Sequence, residues 1–230
     1  MFSSHAKWLY PLIIILILTP FTPWLDMKIA TYFYDSKQFV TNDITDNLFD
    51  FGVVPAQIVA TLAVFFYLLS FVHSYWKMWR KACLVLILTM AVGEGFIVHG
   101  VLKDHWGRPR PKQVEQFGGM QEFRPYYKPN FFNQPEPSKS FVCGHCGMGF
   151  FFLTFAVLGL RYRNQGLIWF GLVVGLGLGF VMSVSRMAQG GHFLTDALWA
   201  GFIIWLSAIV SDYLVHTQED KRERFNKTSK

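Results

Sequence analysis

Residues 185–196 read S-R-M-A-Q-G-G-H-F-L-T-D, a short polar interruption between two apolar runs. If a helix begins at Phe193, His192 and Asp196 lie four residues apart and share a face. A carboxylate so placed can hold one imidazole nitrogen and leave the other free to attack. Arg186 adds the planar fork that matches phosphate oxygens. A histidine backed by an acid and flanked by an arginine is what covalent phosphoryl transfer needs.

Two further polar clusters supply partners for that chemistry. One, K-D-H-W-G-R-P-R-P, places six residues between Lys103 and Arg110, Arg108 among them, with Pro111 stiffening the chain beyond. Such a cluster can also be a basic patch snorkelling to lipid headgroups. The other, S-F-V-C-G-H-C-G, stands at the expected start of a helix, where free N–H groups and the positive dipole end favour an anion. Gly144 there allows close backbone approach and His145 is placed to donate a proton. Two histidines, several cations and a helix N-terminus suit a phosphate better than a metal, which would want more carboxylates or histidines at ligand spacing.

The elements that position these clusters are expected to cross a membrane. The chain has 230 residues, 52% hydrophobic and 18% aromatic, in blocks near the 20 or so residues that a bilayer requires. Six spans are expected, over residues 8–25, 53–72, 82–102, 144–160, 167–184 and 193–216. The first is read as a retained span instead of a signal peptide, because T-P-F-T-P-W stands after it in place of a small-residue cleavage site. Residues 26–52, with five aspartates, read as a polar loop. An all-α bundle in one domain, 1–216, with a charged cytoplasmic tail, 217–230, is the expected architecture.

Six spans put both termini on one side. Lys77, Arg80, Lys81, Arg161, Arg163 and the tail share that side, which the positive-inside rule makes cytoplasmic. All three polar clusters then fall together at the extracytoplasmic face. The net charge of +6 is accounted for by these loops and the tail without nucleic acid. Three cysteines do not form a disulfide framework.

The three clusters resemble the signature of the type 2 phosphatidic acid phosphatase (PAP2) superfamily: K-x6-R-P, P-S-G-H and S-R-x5-H-x3-D. The first and third parts match fully; the second matches at Gly144 and His145, with Val142 for the proline and Cys143 for the serine. The resemblance implies that Lys103, Arg110 and Arg186 clamp the phosphate with Cys143 and Gly144. It implies that His192 forms a phosphohistidine, that Asp196 orients it and that His145 protonates the leaving alkoxide. No metal and no cofactor is implied. The implied partner is a phosphorylated lipid in the bilayer of a bacterial inner membrane, with no obligatory protein partner. Lipid A, undecaprenyl diphosphate and phosphatidylglycerophosphate or phosphatidic acid are candidate substrates for hydrolysis. Transfer of the phosphoryl group to another lipid is an alternative, and transport of a phosphorylated solute a more distant one.

Some residues fall outside the signature. Arg108 is expected as an extra phosphate or headgroup contact. Glu94 and His99, inside a span, are expected as a buried hydrogen-bonded pair with another span. Cys143 and Cys146 have a spacing that can close a disulfide, and closure is expected to twist the turn that carries His145. C-G-H-C also resembles a thioredoxin-type motif, but no strand precedes it. The aromatic loop 112–142 reads either as an interfacial anchor or as a lid. Gly171, Gly175 and Gly179 suggest close helix packing.

Overall fold

The computed structural model describes residues 10–228 except 133 and 135, with side chains described for all of these but 11 and 218–228. Its helices are α1 (Tyr10–Leu18), α2 (Thr22–Tyr32), α3 (Asp43–Phe51), α4 (Val54–Val72), α5 (Arg80–Leu88), α6 (Gly144–Phe150), α7 (Leu153–Tyr162), α8 (Gln165–Ala188) and α9 (Leu194–Thr228). A π-helical run, Thr89–Lys103, continues α5, and a two-stranded hairpin, Tyr34–Asp35 with Gln38–Phe39, comes after α2. Among the described residues six helical stretches are long and apolar enough to cross a membrane: Leu12–Tyr32, Asp43–Val72, Ser74–Lys103, Gly144–Tyr162, Gln165–Ala188 and Leu194–Thr217. The protein is an all-α integral membrane bundle.

Two boundaries differ from expectation. The start of the expected first span, Trp8, lies outside the described residues, but its end runs on to Tyr32. Residues 26–52 are not a loop: they hold the rest of α2, the hairpin and α3. Asn42 caps α3 in a reciprocal box with Thr45, and Asp43 and Asp46 in the first turn complement the helix dipole. That capping pattern was the local signal for a helix here. The tail 217–230 begins inside α9; its last two residues lie outside the described ones.

α8 is the central post, packed along α6 and α7 and touched by α3. Its glycines make this possible. A Cβ on Gly171 would stand 2.2 Å from the backbone N of Ala156, and one on Gly175 would stand 2.7 Å from that of Leu153. A Cβ on Gly149 would likewise stand 2.8 Å from Gly179 Cα, and one on Gly179 would run into the Phe150 ring. Backbone lies on backbone, the small-residue packing expected of apolar helices that have no hydrophobic drive to associate in lipid.

The loop between the π-helical run and α6 is folded. Ser140 N donates to the Arg108 carbonyl (3.0 Å) and Asn130 N to that of Trp106 (2.9 Å). Phe117 is buried against Tyr34 and Phe39, and Tyr126 is buried beside Phe141, whereas Phe132 is 92% exposed. Most of its aromatics therefore pin the loop to the bundle.

Candidate active site

Each motif sits at the end of a helix for a local reason. α8 stops in a Schellman turn: Gly190 adopts φ +60°, its N–H donates to the Met187 carbonyl, and Gly191 N–H donates to that of Arg186. A side chain on Gly191 would meet the Arg186 guanidinium, 2.4 Å from a built Cβ, so the paired glycines also make room for that cation. The chain then turns back at His192 and enters α9. Asp196, in the first turn of α9, accepts from the Phe193 N–H (2.8 Å), half of a capping box.

These turns gather Lys103, Arg110, His145, Arg186 and His192 around one polar cavity of about 390 Å³. Five of the eight sequence-predicted site residues thus meet. Asp196, Cys143 and Gly144 are not on its wall. Asp196 lies behind His192. Cys143 is buried, its N–H donates to the Asp196 carbonyl (3.3 Å), and its sulfur is bonded to Cys146. The expected phosphate contact at Cys143 is therefore corrected: its donor is used inside the protein. Nor does the closed bridge displace the helix start, because Cys143 is the N-cap of α6, its sulfur accepting from Cys146 N (3.2 Å). Gly144 is small for a different partner than phosphate. A Cβ there would lie 2.5 Å from His99 Nε2, and one on Gly147 would lie 2.1 Å from Glu94 Oε2.

Glu94 and His99 do pair, but within one span: His99 Nε2 is 3.2 Å from Glu94 Oε1. Five residues separate them, the hydrogen-bonding period of a π-helix, so the local winding aligns them.

The histidine geometry is specific. His192 Nδ1 lies 2.6 Å from the Ser140 carbonyl and 3.7 Å from Asp196 Oδ2. A carbonyl can only accept, so Nδ1 carries the proton and Nε2 keeps its lone pair. Asp196 orients the imidazole at one remove, by accepting from Ser140 Oγ at 2.6 Å. Burial pushes the His192 pKa down to about 4, with Arg186 and Arg110 adding to the shift and Asp196 opposing it. Burial likewise lowers Arg110 and Lys112; the pull of Asp196 opposes it at Arg110, while Arg110 and Arg186 add to it at Lys112.

Arg108 is not in the cavity. It is 1% exposed and bridges Asp26 Oδ2 (2.7 Å) to Asp196 Oδ1 (2.5 Å), with Thr195 Oγ1 (2.8 Å) and the Arg124 carbonyl (2.9 Å) taking its remaining bonds. Burial works against its charge, but the carboxylates of Asp196 and Asp26 outweigh it and hold the guanidinium above its ordinary pKa. Asp26 also caps α9 from another span, accepting from Thr195 N at 3.0 Å. The expectation of a headgroup contact at Arg108 is thereby corrected to an internal strut.

α3 supplies the part of the site that the motifs do not contain. Asp46 and Phe49 of α3 line the cavity, with Thr41 from just before α3, Lys112 from the loop after the π-helical run and Gln189 from the end of α8. Asp46 Oδ1 accepts from Gln189 Nε2 (3.0 Å), and Gln189 Oε1 accepts in turn from Arg186.

A family model described as the PAP2 superfamily matches residues 79–220, which contain all three motifs. A lipid A 4'-phosphatase of Francisella tularensis subsp. novicida (strain U112) is 35% identical over 207 residues, 86% of this chain and 89% of its own. A lipid A 4'-phosphatase of Rhizobium leguminosarum is 30% identical over 129 residues, 55% of this chain and 50% of its own. One of Rhizobium etli is 30% identical over 124 residues, 53% and 43% respectively. This chain thus spans about half or less of the two Rhizobium proteins. No solved structure matches it. With the family matched over most of its length and six helices fit to cross a bilayer, the chain is a membrane-embedded phosphatase and belongs to the PAP2 superfamily.

Proposed function

We propose that the protein removes a phosphate from lipid A, at the outer face of the bacterial inner membrane, through a phosphohistidine on His192. The observation that carries the reading is the polar cavity, in which four cations (Lys103, Arg110, Lys112 and Arg186) converge with two histidines, one of them, His192, of fixed tautomer. The 35% identity to a lipid A 4'-phosphatase over most of both chains supports lipid A as the lipid. Support for a membrane lipid comes also from an apolar groove of about 710 Å³ between the π-helical run and α9. Leu102, Trp106, Phe141, Trp199 and Phe202 are among its walls, and Leu102 is next in sequence to the cavity residue Lys103. Acyl chains fit such a groove while the phosphate enters the polar cavity.

In the proposed reaction Nε2 of His192 forms a bond to phosphorus as the P–O bond to the sugar breaks. His145 gives its proton to the departing alkoxide oxygen. Lys103, Arg110 and Arg186 balance the charge on the three remaining oxygens, a stabilisation that needs fixed cations more than covalent chemistry. Water then attacks phosphorus, giving its proton to His145, and inorganic phosphate leaves His192 neutral. Both termini lie in the cytoplasm on the distribution of basic loops.

The test is phosphate release by the purified protein in detergent from lipid A, undecaprenyl diphosphate, phosphatidylglycerophosphate and phosphatidic acid, with and without EDTA. Lipid A is expected to be turned over fastest and EDTA to leave the rate unchanged. A preference for another of these lipids sinks the substrate assignment. Loss with EDTA that a divalent ion restores sinks the mechanism.

The buried nucleophile also sets a pH dependence. Only neutral His192 can attack, and its pKa is lowered to about 4, so protonation silences it only below that pH. The acid limb of kcat/KM is therefore expected near pH 4, well below the 6.5 or so of an ordinary imidazole. An acid limb at pH 6 or above would exclude His192 as the group that must be deprotonated.

A further inference from the structure

The ring of Phe49, on α3, touches two of the cavity's working groups. It stacks on the His145 imidazole with centroids 4.6 Å apart and planes 14° from parallel, and the Arg186 guanidinium carbon lies 4.6 Å from its centroid. α3 has no part in the three motifs and lies outside residues 79–220. It is nevertheless held firmly to the end of α8. Ser185 Oγ donates to the Thr45 carbonyl (3.3 Å), and Asp46 receives Gln189, which itself receives Arg186. Gly52, just after α3, fits against Met182 so closely that a Cβ would stand 2.3 Å from its sulfur.

His145 comes from the start of α6 and Arg186 from the end of α8, so the two reach the cavity from different helices. The Phe49 ring is the surface on which imidazole and guanidinium both rest, and each contact is of a kind worth a measurable fraction of a tenfold effect or more.

We propose that Phe49 is a positioning residue for phosphoryl transfer, fixing the His145 imidazole and the Arg186 guanidinium in one arrangement over the cavity. This rests on the phosphatase reading and adds a specific element to it. An aromatic ring is required, because only a flat π face stacks on an imidazole and attracts a guanidinium together. Without the ring, His145 loses its stacking partner and can swing away from the leaving oxygen, and Arg186 loses its aromatic support while keeping Gln189.

The test uses the full chain in detergent with two substrates, a lipid phosphomonoester (poor leaving group) and p-nitrophenyl phosphate (good leaving group). Phe49→Leu is expected to lower kcat on the lipid about tenfold and on the aryl ester less, because protonation by His145 matters less there. Phe49→Tyr is expected to stay within about twofold of the parent, since it keeps the stack. In a His145→Ala background Phe49→Leu is expected to cost clearly less than tenfold, as residues acting through one another are not additive. An equal cost in both backgrounds, or equal kcat for Phe49→Leu and Phe49→Tyr, overturns the role. Should Phe49→Leu fail to fold, Phe49→Met against Phe49→Tyr gives the same comparison: a deficit confined to Met supports the role and equality overturns it. Parent turnover with additive variants defeats only Phe49, whereas a parent that releases no phosphate from either substrate defeats the phosphatase reading as well.

Discussion

His192→Ala is expected to lower the rate of phosphate release on the order of 10⁴-fold or more, with the folded protein still present in the membrane. A missing nucleophile removes the covalent route altogether, and losses of that size are typical when one member of such a unit is deleted. The fold should survive because His192 borders the polar cavity, where its loss leaves space open to water, and Asp196 keeps Arg108, Ser140 Oγ and Phe193 N without it. Added imidazole, small enough for the vacated space, should return part of the activity by taking the phosphoryl group itself. Asp196→Asn should cost less than His192→Ala, since the carbonyl that fixes the tautomer belongs to the backbone and remains. Activity of His192→Ala within tenfold of the parent would exclude the proposed nucleophile.

Arg108→Met should be among the most destabilising substitutions in the molecule. It strands two buried carboxylates, Asp26 and Asp196, with no cation between them. Breaking a buried pair by removing one partner costs about 3–5 kcal/mol, and here two partners are orphaned at once. For a chain of this size that is a fall in melting temperature on the order of 10 °C. Asp26→Asn should cost less, because Arg108 still neutralises Asp196 and the amide oxygen can still accept from Thr195 N. Thermal unfolding of the two variants in the same detergent tests the order. If Arg108→Met melts like the parent and only binds substrate worse, Arg108 belongs to the phosphate clamp after all.

That pair of variants also marks where the sequence was legible. Lys103, Arg110, His145, Arg186 and His192 could be read as one cluster because each stands at the end of an apolar run, and six runs of that length have few ways to arrange their ends. Arg108 sits in the same basic string as Lys103 and Arg110, and nothing local separates a cation that faces a cavity from one turned inward. What turns it inward is Asp26, 82 positions away, in a stretch that read as a polar loop. Cys143 was misplaced for a similar reason: its N–H is taken by a carbonyl of α9. α3 was missed because three aspartates among its nine residues made it read as part of a polar loop, although the Asn42 and Thr45 cap was visible. Partnerships of polar groups across spans leave no period in the sequence. Apolar length and terminal motifs do.

The glycine contacts between α8 and its neighbours bear on how the enzyme lives with lipids of different length. Gly179 lies seven residues before Arg186, about 10 Å along the axis, and Gly149 lies four residues after His145, about 6 Å. With main chain against main chain at Gly149 and Gly179, neither helix can slide or tilt without the other. The fourth span is 72% buried inside the bundle, against 28% for the fifth, 17% for the first and 11% for the second. A bilayer thinner or thicker than the bundle imposes hydrophobic mismatch, which spans relieve by tilting at a cost of fractions of a kcal/mol per ångström. Tilt of the first and second spans reaches the site, because the first carries Asp26, held to Arg108 and Thr195, and the second carries α3, whose Phe49 and Asp46 touch His145, Arg186 and Gln189.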